Sequence, residues 1–307
     1  MNTQTIVLNR KNVIANTSNT KYEYKFPKPV NMTNKEIALA SLNMYYSWPN
    51  IQAIYNNNVF TYKWWDYYGN LTSVQNVTIP DGNYSISTLS AFIQSQMLLR
   101  GHYLIDPNAN KKFFLELIEN PTYYACEITF TSMYAKGYLP SGWSNPTPPT
   151  TYVNASGVTV YSGWDLPAPA PVTNLGQYPQ IIMSSSSNIK DFLGFVAGTY
   201  PVAGTPVSTT YDLLGTVAPQ TYPVSALNIQ SNFCKSDIAI PDNILYSFSQ
   251  GNSAYGDLVL IEPQNLIWIK IIDGTYSKLE LTFIDQDFNP MKILDNQVNI
   301  IILIRDI

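Results

Sequence analysis

Few side chains in this sequence have both the type and the spacing for a reaction centre. The one histidine, His102, sits in "RGHYLIDP", and its arithmetic partner is Cys126 in "YYACEITF". A thiol–imidazole pair needs a third group to orient the base, and neither segment offers the setting of a nucleophile. A loop histidine and a small buried cysteine are the better readings. "DQDFN" sets Asp285, Asp287 and Asn289 at alternate positions, as a calcium loop begins, but Pro290 stands where the loop needs glycine and Asn296 where it needs glutamate. Asp and Asn also bond their own backbone, so a turn is expected there. No glycine-rich phosphate cradle is present, and 21 acidic residues single out no glycosidase pair. The remaining candidate is "FTYKWWDYYG" (Phe60–Gly69), in which Trp64, Trp65, Tyr67 and Tyr68 would form a stacking platform for a ligand, or else an interface core.

The residues that must position such groups are unusual in composition. Charged residues make up 12% of the 307, about half the share of an ordinary soluble domain, and Asn, Ser, Thr, 23 tyrosines and 21 prolines take their place. Such a surface is polar yet cheap to desolvate, which suits a protein covered by neighbours or one that contacts sugars. The net charge of −4 argues against a nucleic-acid binder as a whole, although residues 1–28 carry Arg10, Lys11, Lys21, Lys25 and Lys28 against Glu23 alone. Two cysteines, Cys126 and Cys234, define neither a disulfide framework nor a zinc site. No run is long and apolar enough for a membrane helix, and "MNTQTIVLNRKNV" has no signal-peptide form. A reducing, intracellular site of synthesis is the expectation, with the six Asn-x-Ser/Thr sequons reflecting Asn and Thr abundance.

Strand-like segments dominate. "EIALASLNMYYSW" (Glu36–Trp48), "NVFTYKWW" (Asn58–Trp65), "DIAI", "NILYSFS", "DLVLIEP", "LIWIKII", "KLELTFID" and "VNIIILI" are short, rich in β-branched and aromatic residues, and divided by Gly, Pro, Asn or Asp. The last, with six aliphatics between Val298 and Ile304, reads as a strand covered on both faces. Two short helices are expected. Leu89, Phe92, Ile93 and Met97 share one face of "SISTLSAFIQSQMLL", and Ile189, Phe192 and Leu193 repeat that spacing before Gly194. Between Gly137 and Ser225 lie twelve of the 21 prolines and four charged residues. Proline gives no ladder hydrogen bond, so this stretch belongs to edges, loops or an exposed module. The chain therefore divides into an extended, weakly basic arm (1–28), a sandwich built from 29–65 plus 226–307, and an insertion spanning 66–225.

The stretch from "NILYSFSQGNSAYGDLVLIEPQN" to "IIILIRDI" resembles the carboxyl-terminal part of the penton proteins of virophages and Polinton-like viruses, those of the mavirus type above all. The features that carry it are Ile244–Phe248, Tyr255–Gly256, Pro263 to Asn265, Asp273–Gln286 and Ile300–Arg305. "IPDGNYSISTLSAFIQ" and "SSSSNIKDFLGF" are similar to elements found more widely in capsid proteins of that lineage. The resemblance implies an all-β fold: a single jelly-roll β-sandwich of two four-stranded antiparallel sheets, with a large loop- and β-rich insertion and one or two short helices. It implies a homopentamer at the fivefold vertices of an icosahedral capsid, beside a double jelly-roll major capsid protein. Residues 1–28 would then reach an internal cement protein or the genome, and the insertion would meet a host receptor or glycan. In such a roll the last strand lies inside a sheet, which suits the "IIILI" run. The resemblance implies no cofactor, metal or catalysis. The alternatives are a carbohydrate- or receptor-binding β-sandwich outside any capsid shell, and a glycosidase-like enzyme.

Overall fold

Runs that alternate apolar and polar residues become strands along nearly the whole chain. The computed structural model describes residues 3–170, 174–236, 238 and 240–307. It divides into two compact units, Met1–Asn50 with Tyr222–Ile307, and Ile51–Thr221.

In the first unit eight strands matter: β1 (Thr3–Asn9), β2 (Lys21–Asn31), β3 (Lys35–Tyr45), β4 (Leu227–Ser231), β5 (Ile244–Phe248), β6 (Leu258–Ile261), β7 (Thr275–Asp285) and β8 (Val298–Asp306). They form two antiparallel sheets in the orders β1-β8-β3-β6 and β5-β4-β7-β2, with the two-residue strand Ile269–Lys270 also paired to β3. This is the strand order of a jelly roll. Each sheet buries alternate residues: Leu8, Leu42, Ile300 and Ile302 from one, Ile229, Leu281 and Phe283 from the other. Each such side chain contributes roughly 2–3 kcal/mol by leaving water. Tyr22 meets Phe283 edge-on at 5.7 Å, and Phe248 meets it at 6.4 Å.

β8 lies between β1 and β3, with Ile300 opposite both Leu8 and Leu42. Its coverage is one-sided, not two-sided. Val298, Ile300, Ile302 and Ile304 are buried, whereas Asn299, Ile301, Leu303 and Arg305 on the other face are half-buried. A register shift between Ile301 and Ile302 marks a bulge against β3.

The first 28 residues are not a free arm. Thr3–Asn9 pair with β8 throughout, and Lys21–Asn31 form β2 at the edge of the second sheet. An edge strand keeps one side of its ladder in solvent, so β2 tolerates Lys25, Pro27, Lys28 and Pro29. Pairing there steps from Val30↔Tyr276 to Lys25↔Lys278, passing over the two prolines. The Ile51–Thr221 unit leaves and rejoins the sandwich in the connection from β3 to β4. The units divide at 50/51 and 221/222, so "NVFTYKWW" belongs to the inserted unit and not to the sandwich.

The inserted unit carries its own core. Val59–Trp64 pairs with Ser73–Thr78 and Gln180–Met183, and the latter pairs with Gly198–Tyr200. A second sheet joins Leu115–Asn120, Ala125–Thr131 and Thr210–Leu214. Helix α1 (Ile86–Leu99) is capped by Ser85, whose hydroxyl accepts from Thr88 N, and it buries Leu89, Ile93 and Met97. Its Ser90 hydroxyl accepts from Leu117 N at 2.9 Å, tying the helix to the second sheet. Helix α2 (Ile189–Leu193) ends at Gly194, whose φ of 75° and close approach to Val217 O exclude a Cβ. The strand read at "DIAI" lies partly outside the described residues.

Candidate functional site

The residues singled out for catalysis or metal binding have structural occupations. His102 Nδ1 lies 2.7 Å from the Tyr62 hydroxyl, and its ring stacks on Trp64 at 4.9 Å with 13° between planes. Burial first, and the Arg100 charge second, push its pKa down to about 3. Cys126 is buried in the strand Ala125–Thr131, and burial pushes its thiol up to about 12. No hydrogen bond joins the two among the described residues.

The "DQDFN" segment is a turn that the molecule uses four times. Asp285 Oδ1 accepts from the backbone N–H of Asp287 at 2.9 Å and of Asn289 at 2.8 Å, while Phe288 takes a left-handed φ of 64°. Asp106 repeats this with Asn108 and Asn110 around Ala109 (φ 63°), and Asn154 with Ser156 and Val158 around Gly157 (φ 74°). Asp66 does the same with Tyr68 and Asn70 around Gly69 (φ 80°). The carboxylate oxygens that a calcium loop would aim at an ion are aimed at backbone donors.

The Asp66 turn positions two of the four platform residues. Strand alternation sends Phe60, Tyr62 and Trp64 inward, and Trp65, just past the strand end, packs 4.7 Å from Trp64 and 6.3 Å from Trp164. Trp64 and Trp65 are thus buried core residues, although Trp65 reaches the lining of the cleft beside the Asp66 loop. Tyr67 and Tyr68 stand outside, joined by Tyr161 from the exposed hairpin Thr150–Val153/Thr159–Ser162. Ring centroids run 4.9 Å from Tyr67 to Tyr161 and 6.0 Å from Tyr68 to Tyr161. Desolvation, and then the neighbouring Tyr161, hold the Tyr68 phenol above its ordinary value. Between the Asp66 loop and the hairpin base lies a cleft of 590 Å³, lined in part by Asp66, Tyr67, Arg100, Thr150, Tyr161 and Ser162. Tyr161 escapes sequence reasoning because its segment pairs with no aromatic run. The signal was a pair of tyrosines, Tyr152 and Tyr161, in a charge-free hairpin.

In the sandwich unit, the outer face of the sheet β1-β8-β3-β6 is the notable surface. Val7, Leu258 and Leu260 are 46%, 52% and 53% exposed, beside half-buried Ile301 and Leu303. Thr5, Ser41, Asn43 and Asn299 fill the gaps, so the middle of the face carries no charge. Charge lies at the two ends, with Arg10 and Lys11 beside a groove at one and paired charges at the other. At the paired end Arg305 donates twice to Glu36 Oε2, at 2.9 and 2.7 Å, and lies 3.9 Å over the Trp268 ring, while Lys35 pairs with Asp306. At the other end a groove of 420 Å³ is lined by Asn9, Arg10, Asn43, Tyr45 and Leu258, among others.

No family model matches the chain, and no curated protein matches it. Among solved structures it is similar to the mavirus penton protein, in a crystal structure of the selenomethionine-labelled form, at 11% identity over 100% of this chain and 99% of that one, with a TM-score of 0.43. It is also similar to a chain of the Sputnik virophage structure from cryo-electron microscopy, at 10% identity over 99% and 96% of the two chains, with a TM-score of 0.35.

Proposed function

We propose that this chain is a structural capsid protein, a homopentamer at the fivefold vertices of an icosahedral virion. The observation that carries the reading is the winding β1-β8-β3-β6 over β5-β4-β7-β2. The sequence of the last third implies that winding through its resemblance to virophage and Polinton-like penton proteins.

The physical role is to be packed against. A ring of identical subunits closes when each contributes two different faces to a heterologous contact. The outer face of β1-β8-β3-β6 suits one side of such a contact, since Val7, Leu258, Leu260 and Ile301 bury apolar area while Thr5, Asn43 and Asn299 cost little to desolvate. A neighbouring double jelly-roll major capsid protein is the partner we assign outside the ring. The inserted unit, leaving from one inter-strand connection, is free to carry contacts with host surfaces without disturbing the sandwich.

The test is electron microscopy and light scattering of the purified full chain, alone and mixed with the major capsid protein of the same virus. Ring-shaped particles of five subunits are expected. A chain that stays monomeric at micromolar concentration in both samples rejects the proposal.

A further inference from the structure

We infer that the cleft between the Asp66 loop and the base of the hairpin Thr150–Val153/Thr159–Ser162 binds a neutral oligosaccharide. The inference concerns a single subunit in solution and does not rest on the capsid reading.

The cleft has the size of a small-ligand site, 590 Å³. Two tyrosines from separate segments, Tyr67 and the 53% exposed Tyr161, line it, and Tyr68 packs against both rings from outside the lining. A tyrosine ring gives a large, rigid contact with few torsions to freeze. The electron-rich ring face attracts the C–H groups on the apolar side of a pyranose, while the phenol and the hydroxyls of Thr150 and Ser162 face its O–H groups.

The charges point to a neutral ligand. Arg100 and Asp66, the charged residues of the lining, carry opposite charges, and neutral partners hold each in place. Arg100 Nη1 donates to Gln96 O at 3.1 Å and Nη2 to Asn76 O at 3.2 Å. Asp66 takes hydrogen bonds from Tyr68 N, Asn70 N and the Thr72 hydroxyl. Burial alone would raise its carboxyl, yet these donors outweigh burial and hold it below its ordinary value. The one cation and the one anion of the lining thus cancel, and a cleft without net charge gives no overall attraction to a carboxylate or a phosphate, which argues against sialylated glycans and against nucleotides.

The walls are also fixed in advance, which lowers the ordering cost of binding. A Cβ on Gly69 would meet Leu166 O at 2.4 Å, and one on Gly163 would meet Pro148 O at 2.3 Å. Both backbones are therefore packed hard against a neighbour beneath the tyrosines.

The experiment is saturation-transfer NMR on the full chain with lactose, maltotriose, mannotriose and chitotriose as neutral probes. 3′-Sialyllactose and an oligothymidylate serve as charged ones. Saturation transfer to at least one neutral probe is expected, with a Kd on the order of 0.1–1 mM. Tyr67→Ala and Tyr161→Ala, each checked for a cooperative thermal melt, weaken that binding about tenfold or more, a loss of about 1.4 kcal/mol. Tyr161→Phe retains binding, and so does Tyr123→Ala, a change to an exposed tyrosine elsewhere in the same unit. The inference is overturned by transfer to none of the neutral probes, by tighter binding of either charged probe, or by neutral binding that survives both alanine variants.

Discussion

The Tyr62 hydroxyl oxygen and His102 Nδ1 lie 2.7 Å apart, with both side chains buried and the imidazole stacked on Trp64. His102 is neutral in the folded unit, its pKa pushed down to about 3 by burial and then by Arg100. An unfolded histidine titrates near 6.5. As pH falls through that value the unfolded chain takes up the proton first, so stability declines between about pH 6.5 and 3 and levels off below. The slope approaches about 1.4 kcal/mol per pH unit. Urea unfolding of the inserted unit, followed by tryptophan fluorescence at stepped pH, reads it. His102→Gln flattens that profile, and Tyr62→Phe costs about 1–3 kcal/mol by leaving a buried nitrogen without its partner.

Neighbouring isoleucines in β8 should behave differently. Ile302 points into the sandwich core and Ile301 to the half-covered outer face. Ile302→Ala is expected to cost about 2–5 kcal/mol and Ile301→Ala about 1 kcal/mol in the isolated subunit. Equal losses in chemical denaturation would contradict the register with β1 and β3.

The fourfold turn predicts opposite outcomes at equivalent positions. Gly69→Ala forces a Cβ into Leu166 O at φ 80°, so a loss of 2 kcal/mol or more is expected, on the order of a core defect. Phe288 holds the same place at φ 64° with its ring half exposed. Phe288→Asn, a residue that tolerates this region, should raise stability by about 0.5–1 kcal/mol. Thermal melts of the two variants give the comparison.

Charge on the outer sheet face separates folding from assembly. Leu260→Lys lies on β6, an edge strand where lysine is well tolerated, so subunit stability should change by no more than about 0.5 kcal/mol. Ring formation by light scattering should fall sharply, since a buried ammonium would face its neighbour unpaired. Unaltered assembly in this variant would assign the contact to another face.

The legible parts of the fold were those with strong local patterns. β3, β7 and both helices declare themselves through apolar periodicity and caps, and β8 through an aliphatic run that marks a strand but not its buried face. β1 and β2 do not: β1 is a short run that leads straight into Arg10 and Lys11, and the lysines and prolines of β2 look the same in sequence as those of a solvated arm. Their strand character comes from partners far along the chain, with Thr3 opposite Arg305 and Tyr22 opposite Leu281. The candidate site was half legible for a similar reason. The aromatic run held Tyr67 and Tyr68, but Trp64 and Trp65 turn inward with the alternation begun at Phe60, and Tyr161 arrives from a hairpin no local pattern ties to them.

Because β8 fills the slot between β1 and β3, the first sheet stays open until the last strand has been made. The ribosome delivers roughly 5–20 residues each second. The inserted unit, complete by Thr221, therefore has several seconds in which to fold before its host sandwich can close. A nascent or prematurely stopped chain would carry a finished inserted unit and an unfinished sandwich, with the slot for β8 still vacant. The order of synthesis thus sets an order of folding, the inserted unit first and its host sandwich last.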